Sequence, residues 1–297
     1  MRHFFFKFGE SNCFFDKCLK NSEKESFEIN DTLPLSIYFG KWTVEDYEAG
    51  KTINGGKDKD QIDRFFNAAM RKPSESVFWI FDKRVFALKP YSEVYNGTMT
   101  RHDYSNPKSV DSRVVKIFPK EKLPEAFASI NSYQKYNRKT IVELENKEVE
   151  IAEWILSNRY SHGKMPIRRD NMLHYLSPLQ FETLIFLIFH HHSVFCTTYR
   201  GGTLEGVDFR IQSTKMVDIH GLKFNGQAVI QVKKRNYIQS HPQLKLDKDF
   251  ILVHLGDSEP EKNILGTDWI QTCVTELPAV DRWLNQSLAF FHMIGDD

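Results

Sequence analysis

Short runs of β-branched and aromatic residues, separated by polar turns, dominate the first 140 residues of the chain. Such runs are typical of strands, whereas the apolar spacing within Asp60–Met70 is that of an amphipathic helix. The polar stretch Tyr91–Pro107 contains Asn96-Gly97 and is expected to be a loop. Residues 1–145 are therefore predicted to form an α+β domain, with strands at Phe4–Phe8, Leu35–Phe39, Val77–Phe81, Arg84–Leu88 and Val114–Phe118.

The pattern becomes helical between Glu143 and Tyr160, where apolar residues recur along one face. Ser161–Asp170 follows with a glycine, a proline and several basic residues, which favours a linker or hinge. Its side chains, Arg168 and Arg169 among them, could contact phosphate, but a solvated basic loop is an equally good interpretation. Residues 146–170 are thus predicted to be a helix and a basic linker between two domains.

A clearer helix signal begins at Ser177, which is followed by a proline at the first helical position and by Gln180 three residues after the cap. Asn225-Gly226 is a turn signal between two strand-like runs. Residues 171–297 are predicted to be an α/β domain with a central mixed sheet flanked by helices. The expected elements are strands at Val194–Tyr199, Gly206–Gln212, Lys215–Ile219, Gln227–Lys234 and Phe250–Leu255, and a last helix at Pro278–Phe290.

The composition argues against several classes of protein. Hydrophobic residues make up 41% and charged residues 27% of the 297 positions, which is ordinary for a globular chain. The four cysteines form no CxxC pair, so a disulfide scaffold is not expected. The N-terminal sequence is too interrupted by charge for a signal peptide, and no apolar run reaches the roughly 18–20 residues that span a bilayer. We expect a cytoplasmic protein without a membrane partner.

Polar residues between Glu182 and Lys233 have the spacing of a metal-dependent phosphate site. Residues two apart on a strand share a face, so Gln231 and Lys233 project together while Val232 faces the core. If the strand of Asp208 pairs with this strand, its carboxylate reaches the same face. Mg²⁺ or Mn²⁺ could then bind the carboxylate of Asp208, the amide oxygen of Gln231, the carbonyl of Val232 and, directly or through water, Glu182. Lys233 would orient or deprotonate the attacking water.

These residues lie in three motifs, Ser177-Pro-Leu-Gln-Phe-Glu182, Arg200-Gly-Gly-Thr-Leu-Glu-Gly-Val-Asp208 and Gln231-Val-Lys233. On these motifs the chain resembles the Mrr-like restriction endonuclease branch of the PD-(D/E)xK nuclease superfamily. The resemblance implies a restriction-endonuclease-like fold, with a helix, three strands, a helix and a strand in that order. It implies a Mg²⁺-dependent endonuclease acting on DNA, in restriction of foreign or modified DNA or in phage defence. A homodimer is expected, because cutting a duplex generally needs two active sites.

Basic residues near the motifs are the expected DNA contacts. Arg200 precedes Gly201-Gly202, whose backbone could hold a flanking phosphate. Lys234 and Arg235 directly follow the lysine of the third motif. The predicted nucleic-acid-binding set is therefore Arg200, Lys234, Arg235, Arg168 and Arg169.

The N-terminal half has a fainter resemblance to PUA-like and EVE-like domains, which hold a modified base in an aromatic pocket. The resemblance lies in the charged helix at Asp60–Met70 and the strand that follows it at Val77–Asp82. On this interpretation Trp79, Trp42 and Tyr38 would form the walls of the pocket. The alternative is that these aromatic residues are core residues of an unrelated α+β domain.

Two other functions remain compatible with the sequence. A nuclease fold that no longer cuts could act as a nucleic-acid-binding or sensor protein, since Gln231 is a weaker metal ligand than a carboxylate; a nuclease acting on RNA is also possible. Zinc binding by His190-His191-His192 with Cys196 is not favoured, because consecutive helical residues point in different directions. A polar helix terminus is the preferred interpretation there, and Glu205 and Asp218 are best explained as turn residues.

Overall fold

The computed structural model describes residues 1–7, 26–37, 44–49, 59–96, 108–132, 139–157, 163–198, 207–241 and 246–295. Its architecture is mixed α/β, with sheets flanked by helices. The chain divides into two units, Met1–Gly163 and Lys164–Asp297. The boundary between the units therefore falls inside the segment 146–170 that was predicted to join two domains.

A mixed sheet forms the N-terminal unit. Its strands in the described residues are β1 (Arg2–Phe6), β2 (Thr32–Ile37), β3 (Ser76–Phe81), β4 (Arg84–Pro90), β5 (Tyr95–Asn96), β6 (Lys108–Pro119) and β7 (Ile141–Glu143). Their order across the sheet is β2, β6, β4, β3, β1, β7, and the short β5 pairs with β6. Strands β1 and β3 are parallel and the other pairs are antiparallel. The five predicted strands are confirmed with shifted ends, whereas β5 and β7 are too short to have been recognised.

Phenylalanine rings fill the core between this sheet and helix α2 (Lys59–Phe66). Phe4 packs on Phe78 with ring centroids 5.6 Å apart, and Phe6 packs on Phe65 at 6.2 Å. Burial of each such ring stabilises the unit by roughly 1.5–3 kcal/mol. The helix predicted at Asp60–Met70 is confirmed, although its last turn, Asn67–Arg71, is π-helical. A preceding helix, α1, spans Val44–Glu48.

Trp79 lies in a second part of the core and not in a pocket open to a base. Its side chain is fully buried, and its indole N–H donates to Nδ1 of His3 across 3.1 Å. The ring also packs edge-on against Phe127, at 5.0 Å, in the short helix α3 (Glu125–Ala128). Of the two interpretations that the sequence allowed, Trp79 is thus a core residue and not a pocket wall, while Tyr38 and Trp42 lie outside the described residues.

The predicted helix and linker at 146–170 is divided between the two units. Helix α4 covers Lys147–Leu156 and packs against β1 and α3, so it belongs to the N-terminal unit. The linker prediction is wrong for Met165–Arg168, which forms strand β8 and pairs in parallel with β14 (Phe291–Ile294). The sequence of a four-residue strand cannot be told from that of a loop when the pairing partner lies more than a hundred residues away in the chain.

The C-terminal unit continues after β8 with α5 (Pro178–His191), β9 (Phe195–Thr198), β10 (Phe209–Ile219), β11 (Leu222–Lys233), α6 (Tyr237–Ser240), β12 (Phe250–His254), β13 (Ile264–Leu265), α7 (Thr267–Glu276) and α8 (Pro278–Ser287). Five of these strands form a second sheet, with the order β13, β12, β11, β10, β9 across it. Strands β9, β10 and β11 are antiparallel neighbours, and β12 runs parallel to β11. From α5 to β12 the element order along the chain is helix, three strands, helix and strand, as predicted.

Helix α5 begins at the predicted cap. The Ser177 hydroxyl accepts from the Gln180 N–H at 3.0 Å, and the Gln180 side chain accepts from the Ser177 N–H at 2.8 Å, which satisfies two N–H groups at the helix start. The helix covers one face of the sheet through Phe189, whose ring lies 6.4 Å from that of Phe209 and 6.0 Å from that of Trp269. The opposite face of the sheet is therefore the one available for polar side chains.

Strands β10 and β11 form one long hairpin, which corrects the predicted turn at Asn225-Gly226. The chain reverses at His220-Gly221, where φ is +47° and +87°, between the paired residues Ile219 and Leu222. Two consecutive positive φ values are those of a type I′ hairpin turn. Gly226 instead pairs with Ser213 inside the hairpin, next to an irregularity in register. The stretch between the two motif strands is thus an extension of the same strands.

Two further properties bear on the class of protein. In the part of the chain that the structure describes, no single helix is both long and apolar enough to cross a membrane. The helix Arg169–Tyr175 and α5 reach that length and apolar character only when they are taken as a pair, and the pair is bent by 114°.

Cys196 and Cys273 are free thiols, and burial raises the pKa of each to about 12. Both thiols therefore stay protonated near neutral pH and are poor nucleophiles.

Candidate active site

Asp208 lies at the open end of the hairpin, one residue before β10. Its backbone N–H donates to the carbonyl of Ile230 at 2.9 Å, and its carboxylate Oδ2 accepts from the backbone N–H of Val232 at 2.6 Å. These two bonds lie on either side of Gln231 along β11. The predicted pairing of the two motif strands is confirmed, and the carboxylate is held at the end of β11 by a short, charge-assisted hydrogen bond.

Gln231 and Lys233 share one face of β11, as the two-residue period predicts. Both are half-buried, whereas Val232 between them is buried on the opposite face. This polar face continues across the sheet, where Arg210 is exposed on β10, two residues after Asp208. Carboxylate, amide, ammonium and guanidinium groups thus come from two neighbouring strands on the side of the sheet that α5 does not cover.

Strand β12 extends the site on its other side. Lys233 is paired with His254, which is 1% exposed and has both ring nitrogens engaged. Its Nδ1 accepts from the Tyr237 N–H at 3.3 Å, and its Nε2 lies 3.1 Å from the carbonyl oxygen of Asp257. Burial lowers the pKa of His254 and favours the neutral ring that makes both contacts. The segment that follows Lys233 is consequently tied to the end of β12.

Glu182 is less directly connected to Asp208 than the other motif residues. It is half-buried on α5, one helical turn before Phe186, whose ring lies 6.4 Å from that of Phe209. Successive strand residues point to opposite faces, so Phe209 faces α5 while Asp208 faces away from it. Glu182 therefore lies near the same end of the sheet but on the side of the covering helix, and its predicted part in the site stays a prediction.

The oxygen atoms beside Asp208 suit a hard divalent cation. The hydrogen bond to Val232 uses Oδ2 of Asp208. Mg²⁺ and Mn²⁺ bind oxygen ligands of the kinds found here, which are Oδ1 of Asp208, the Gln231 amide oxygen and the Val232 carbonyl oxygen. Among the described residues, no three His, Cys, Asp or Glu side chains are grouped to hold a metal ion. Within the part of the chain that is described, amide, carbonyl and water oxygens would join the Asp208 carboxylate around a cation here.

The predicted DNA contacts fall into three groups. Lys234 and Arg235 directly follow β11, beside the site, and Arg235 is exposed. Arg168 and Arg169 are exposed at the end of β8 and the start of the next helix, and β8 belongs to a separate two-stranded sheet. Arg200, with Gly201-Gly202 and Glu205, lies outside the described residues.

The histidine run at the end of α5 is a polar helix terminus, as the sequence favoured. His190 and His191 are exposed on the last turn, and the ring of His192 lies edge-on to that of His220, at 6.4 Å. The His220 ring in turn lies 3.0 Å from the carboxylate of Glu276. Asp218 lies in β10 next to the turn, and its carboxylate accepts from the N–H of Gly221 at 3.0 Å. It lies at the closed end of the hairpin, away from Asp208.

Sequence reasoning missed the group of residues that surrounds Tyr237. The Tyr237 ring stacks on His241 with centroids 4.1 Å apart, and Arg235 and Lys233 place their charges 5.4 and 5.9 Å from its centroid. The one signal that could have found this group is the spacing of Tyr237 and His241, four residues apart just after the strand. That spacing brings the two rings together only if the chain is helical there, and the short helix α6 was not predicted.

No model of a known protein family matches the chain, and no curated protein matches it in sequence. Shared ancestry therefore cannot supply a function from these comparisons. A function can instead be inferred from the three motifs and from the geometry that brings Asp208 to the Gln231–Lys233 strand.

Proposed function

We propose that the protein is a metal-dependent DNA endonuclease whose C-terminal unit is a Mrr-like, restriction-endonuclease-like domain. The observation that carries the proposal is the Asp208 carboxylate, held by the Val232 N–H beside the strand that presents Gln231 and Lys233. An acid, an amide and a lysine converge at the open end of one hairpin. This is the arrangement that hydrolysis of a phosphodiester needs around a divalent cation.

Each residue has a distinct proposed role. Asp208, Gln231 and the Val232 carbonyl would hold Mg²⁺ or Mn²⁺, with Glu182 as a further ligand directly or through water. Lys233 holds the scissile phosphate and orients or deprotonates the attacking water. A bound cation would lower the pKa of its water and neutralise charge that builds on the phosphate.

The remaining parts of the proposal concern the target. We assign recognition of foreign or modified DNA to the N-terminal unit, Met1–Gly163, because it contains none of the residues of the site. Restriction or phage defence in the cytoplasm is the role that a Mrr-like endonuclease would have. A homodimer would supply one site to each strand of the duplex.

The decisive experiment measures nicking and linearisation of supercoiled plasmid by the purified full-length protein, with Mg²⁺, with Mn²⁺ and with EDTA. Plasmids with and without methylated bases are compared, and a labelled RNA is digested beside them. Lys233→Ala should lower the cleavage rate by about 100-fold or more, which is the scale of positioned acid–base catalysis. Lys223→Ala is the matched control, because Lys223 lies on the same strand, exposed at its far end.

Cleavage that needs a divalent cation and Lys233, but not Lys223, supports the proposal. Cleavage that Lys233→Ala leaves at the wild-type rate overturns the assigned site, and digestion of RNA alone overturns the choice of DNA. Gln231→Glu is a second test that does not require loss of activity. Replacing the amide by a carboxylate should lower the Mn²⁺ concentration needed for half-maximal cleavage, because ionised oxygen is the stronger ligand.

A second candidate is a nucleic-acid-binding or sensor protein with a nuclease-like fold that does not cut. It is favoured by the amide at position 231 and by the lack, among the described residues, of three acidic or histidine ligands grouped for a metal. Mn²⁺ titration followed by calorimetry separates the two candidates. Wild-type binding that Asp208→Asn weakens indicates the nuclease, whereas DNA binding without any bound Mn²⁺ indicates the sensor.

A further inference from the structure

The segment that follows Lys233 forms a compact aromatic and basic cluster, Lys233, Arg235, Tyr237 and His241. The rings of Tyr237 and His241 are nearly parallel, at an interplanar angle of 14° and a centroid distance of 4.1 Å. A contact of 3.1 Å between the His241 Nδ1 and the Tyr237 carbonyl oxygen holds the second ring over the first. The two rings therefore form a fixed stack and not a chance contact of two mobile side chains.

Two cations lie against this stack. The guanidinium carbon of Arg235 is 5.4 Å and the ammonium nitrogen of Lys233 is 5.9 Å from the centre of the Tyr237 ring, within cation–π distance. Neither cation is paired with a carboxylate among the described residues. Within the described residues, the positive charge of the cluster is therefore available to an added anion such as phosphate.

The cluster is anchored as well as accessible. The Tyr237 N–H donates to the buried His254, and the Asn236 side chain accepts from the Gln239 N–H at 3.1 Å, which caps the short helix α6. Arg235 and His241 are exposed and Tyr237 is half-buried. A ligand can therefore reach the edge of the stack and the outer side of His241 without unfolding the segment.

A flat ring stack beside cations is what an unpaired nucleobase and its phosphate require. Inside a duplex both faces of a base are covered by its neighbours, so a paired base cannot stack on a side chain until it is unstacked. We propose that an unpaired base of the DNA substrate stacks on the outer side of His241, which the Tyr237 ring supports from behind, next to the phosphate contacted by Lys233 and Arg235. The inference rests on the proposed function and adds to it that the enzyme engages DNA with a locally opened strand.

The test measures binding and not cleavage, so that its failure can be told from failure of the proposed function. Fluorescence anisotropy in EDTA compares one labelled 20-nucleotide sequence as a single strand, as a full duplex and as a duplex with a three-nucleotide bulge. Wild type should bind the single strand and the bulged duplex at least tenfold more tightly than the full duplex. Tyr237→Ala should remove about tenfold of that affinity, the scale of one stacked base, whereas Tyr237→Phe should keep it.

Phe195→Ala is the matched control, because Phe195 is an exposed aromatic residue of the same sheet, at the end of β9 that lies away from Asp208. It should bind all three DNAs as wild type does. A second readout uses 5-iododeoxyuridine in the bulge, which should crosslink under ultraviolet light to Tyr237 or His241. Mass spectrometry of the crosslinked peptide identifies the residue even if Tyr237→Ala proves unstable.

Equal binding of the single strand by wild type and Tyr237→Ala, or a crosslink mapped to another segment, overturns the inference. If Lys233-dependent cleavage is found at the same time, the proposed nuclease function stands alone. If base stacking at His241 is found but no cleavage with any metal, the inference stands and the nuclease function fails.

Discussion

The hydrogen bond between Asp208 and Val232 allows the structural and catalytic parts of the site to be separated by two substitutions at one position. Val232 is 7% exposed, so its N–H has little access to water if the carboxylate is removed. A hydrogen bond to a charged group contributes roughly 1.5–3 kcal/mol, and a neutral one roughly 0.5–1.5 kcal/mol. Asp208→Ala should cost the larger amount, whereas Asp208→Asn keeps an amide oxygen as acceptor and should lose about half of it.

Hydrogen exchange at the Val232 amide is the direct assay. Because about 1.4 kcal/mol corresponds to a factor of ten, Asp208→Ala should speed exchange of this amide by about tenfold to a hundredfold, and Asp208→Asn by less than tenfold. Mass spectrometry with residue-level fragmentation can follow the segment Gln231–Lys233. Plasmid nicking in Mg²⁺ is measured on the same preparations, and both variants should lose it to the same extent, because an amide cannot replace the charge of a carboxylate on a metal ion.

The two readouts refute different parts of the reasoning. Unchanged exchange in Asp208→Ala would mean that the end of β11 opens as easily without the carboxylate, so that the bond at 2.6 Å does not hold the site. Nicking retained by Asp208→Asn would mean that the carboxylate is not a metal ligand. An activity loss in Asp208→Ala alone would show that positioning of β11, and not charge, is what Asp208 supplies.

Two further predictions concern stability. Burial lowers the pKa of His3 from 6.5 to about 4 and so favours the neutral ring, which accepts from the Trp79 N–H. The unfolded chain then binds the proton more readily, and stability should fall by about 3 kcal/mol as pH drops from 6.5 towards 4. In urea unfolding over that range, His3→Gln should remove this part of the pH dependence, and an equally steep curve would contradict it. A methyl group on Gly266 would overlap the carbonyl oxygen of Gly256, so Gly266→Ala should destabilise by about 3 kcal/mol. Gly163→Ala, with nothing within 4 Å, should change stability by less than about 0.5 kcal/mol; equal melting temperatures of the two variants would refute the steric argument.

Elements with a local signal were predicted well. The cap at Ser177 and Gln180 marks the start of α5 because both hydrogen bonds join residues three apart in the chain. The alternation around Val232 assigned Gln231 and Lys233 to one face because the two-residue period of a strand does not depend on its partner. The core aromatic runs around Phe4 and Phe78 were recognised for the same reason.

Errors arose where a partner distant in the chain decides the conformation. Asn225-Gly226 has the composition of a tight turn, but pairing of Ser213 with Gly226 keeps it inside the hairpin, and the chain turns at His220-Gly221 instead. Strand β8 is a strand only because β14 lies beside it. Trp79 could be assigned to a pocket or to the core, and only its burial against His3 and Phe127 decides between them.

The sequence by itself determined which residues of the candidate site have the right chemistry and which of them share a face, because residue type and short-range period are local properties. The tertiary structure decided that Asp208 is bonded to Val232 across 24 positions of chain, that Glu182 lies on the side of the covering helix, and that Tyr237 stacks on His241 beside Lys233. Those contacts depend on strand register and helix placement, which are set by packing of the whole unit and not by any one segment.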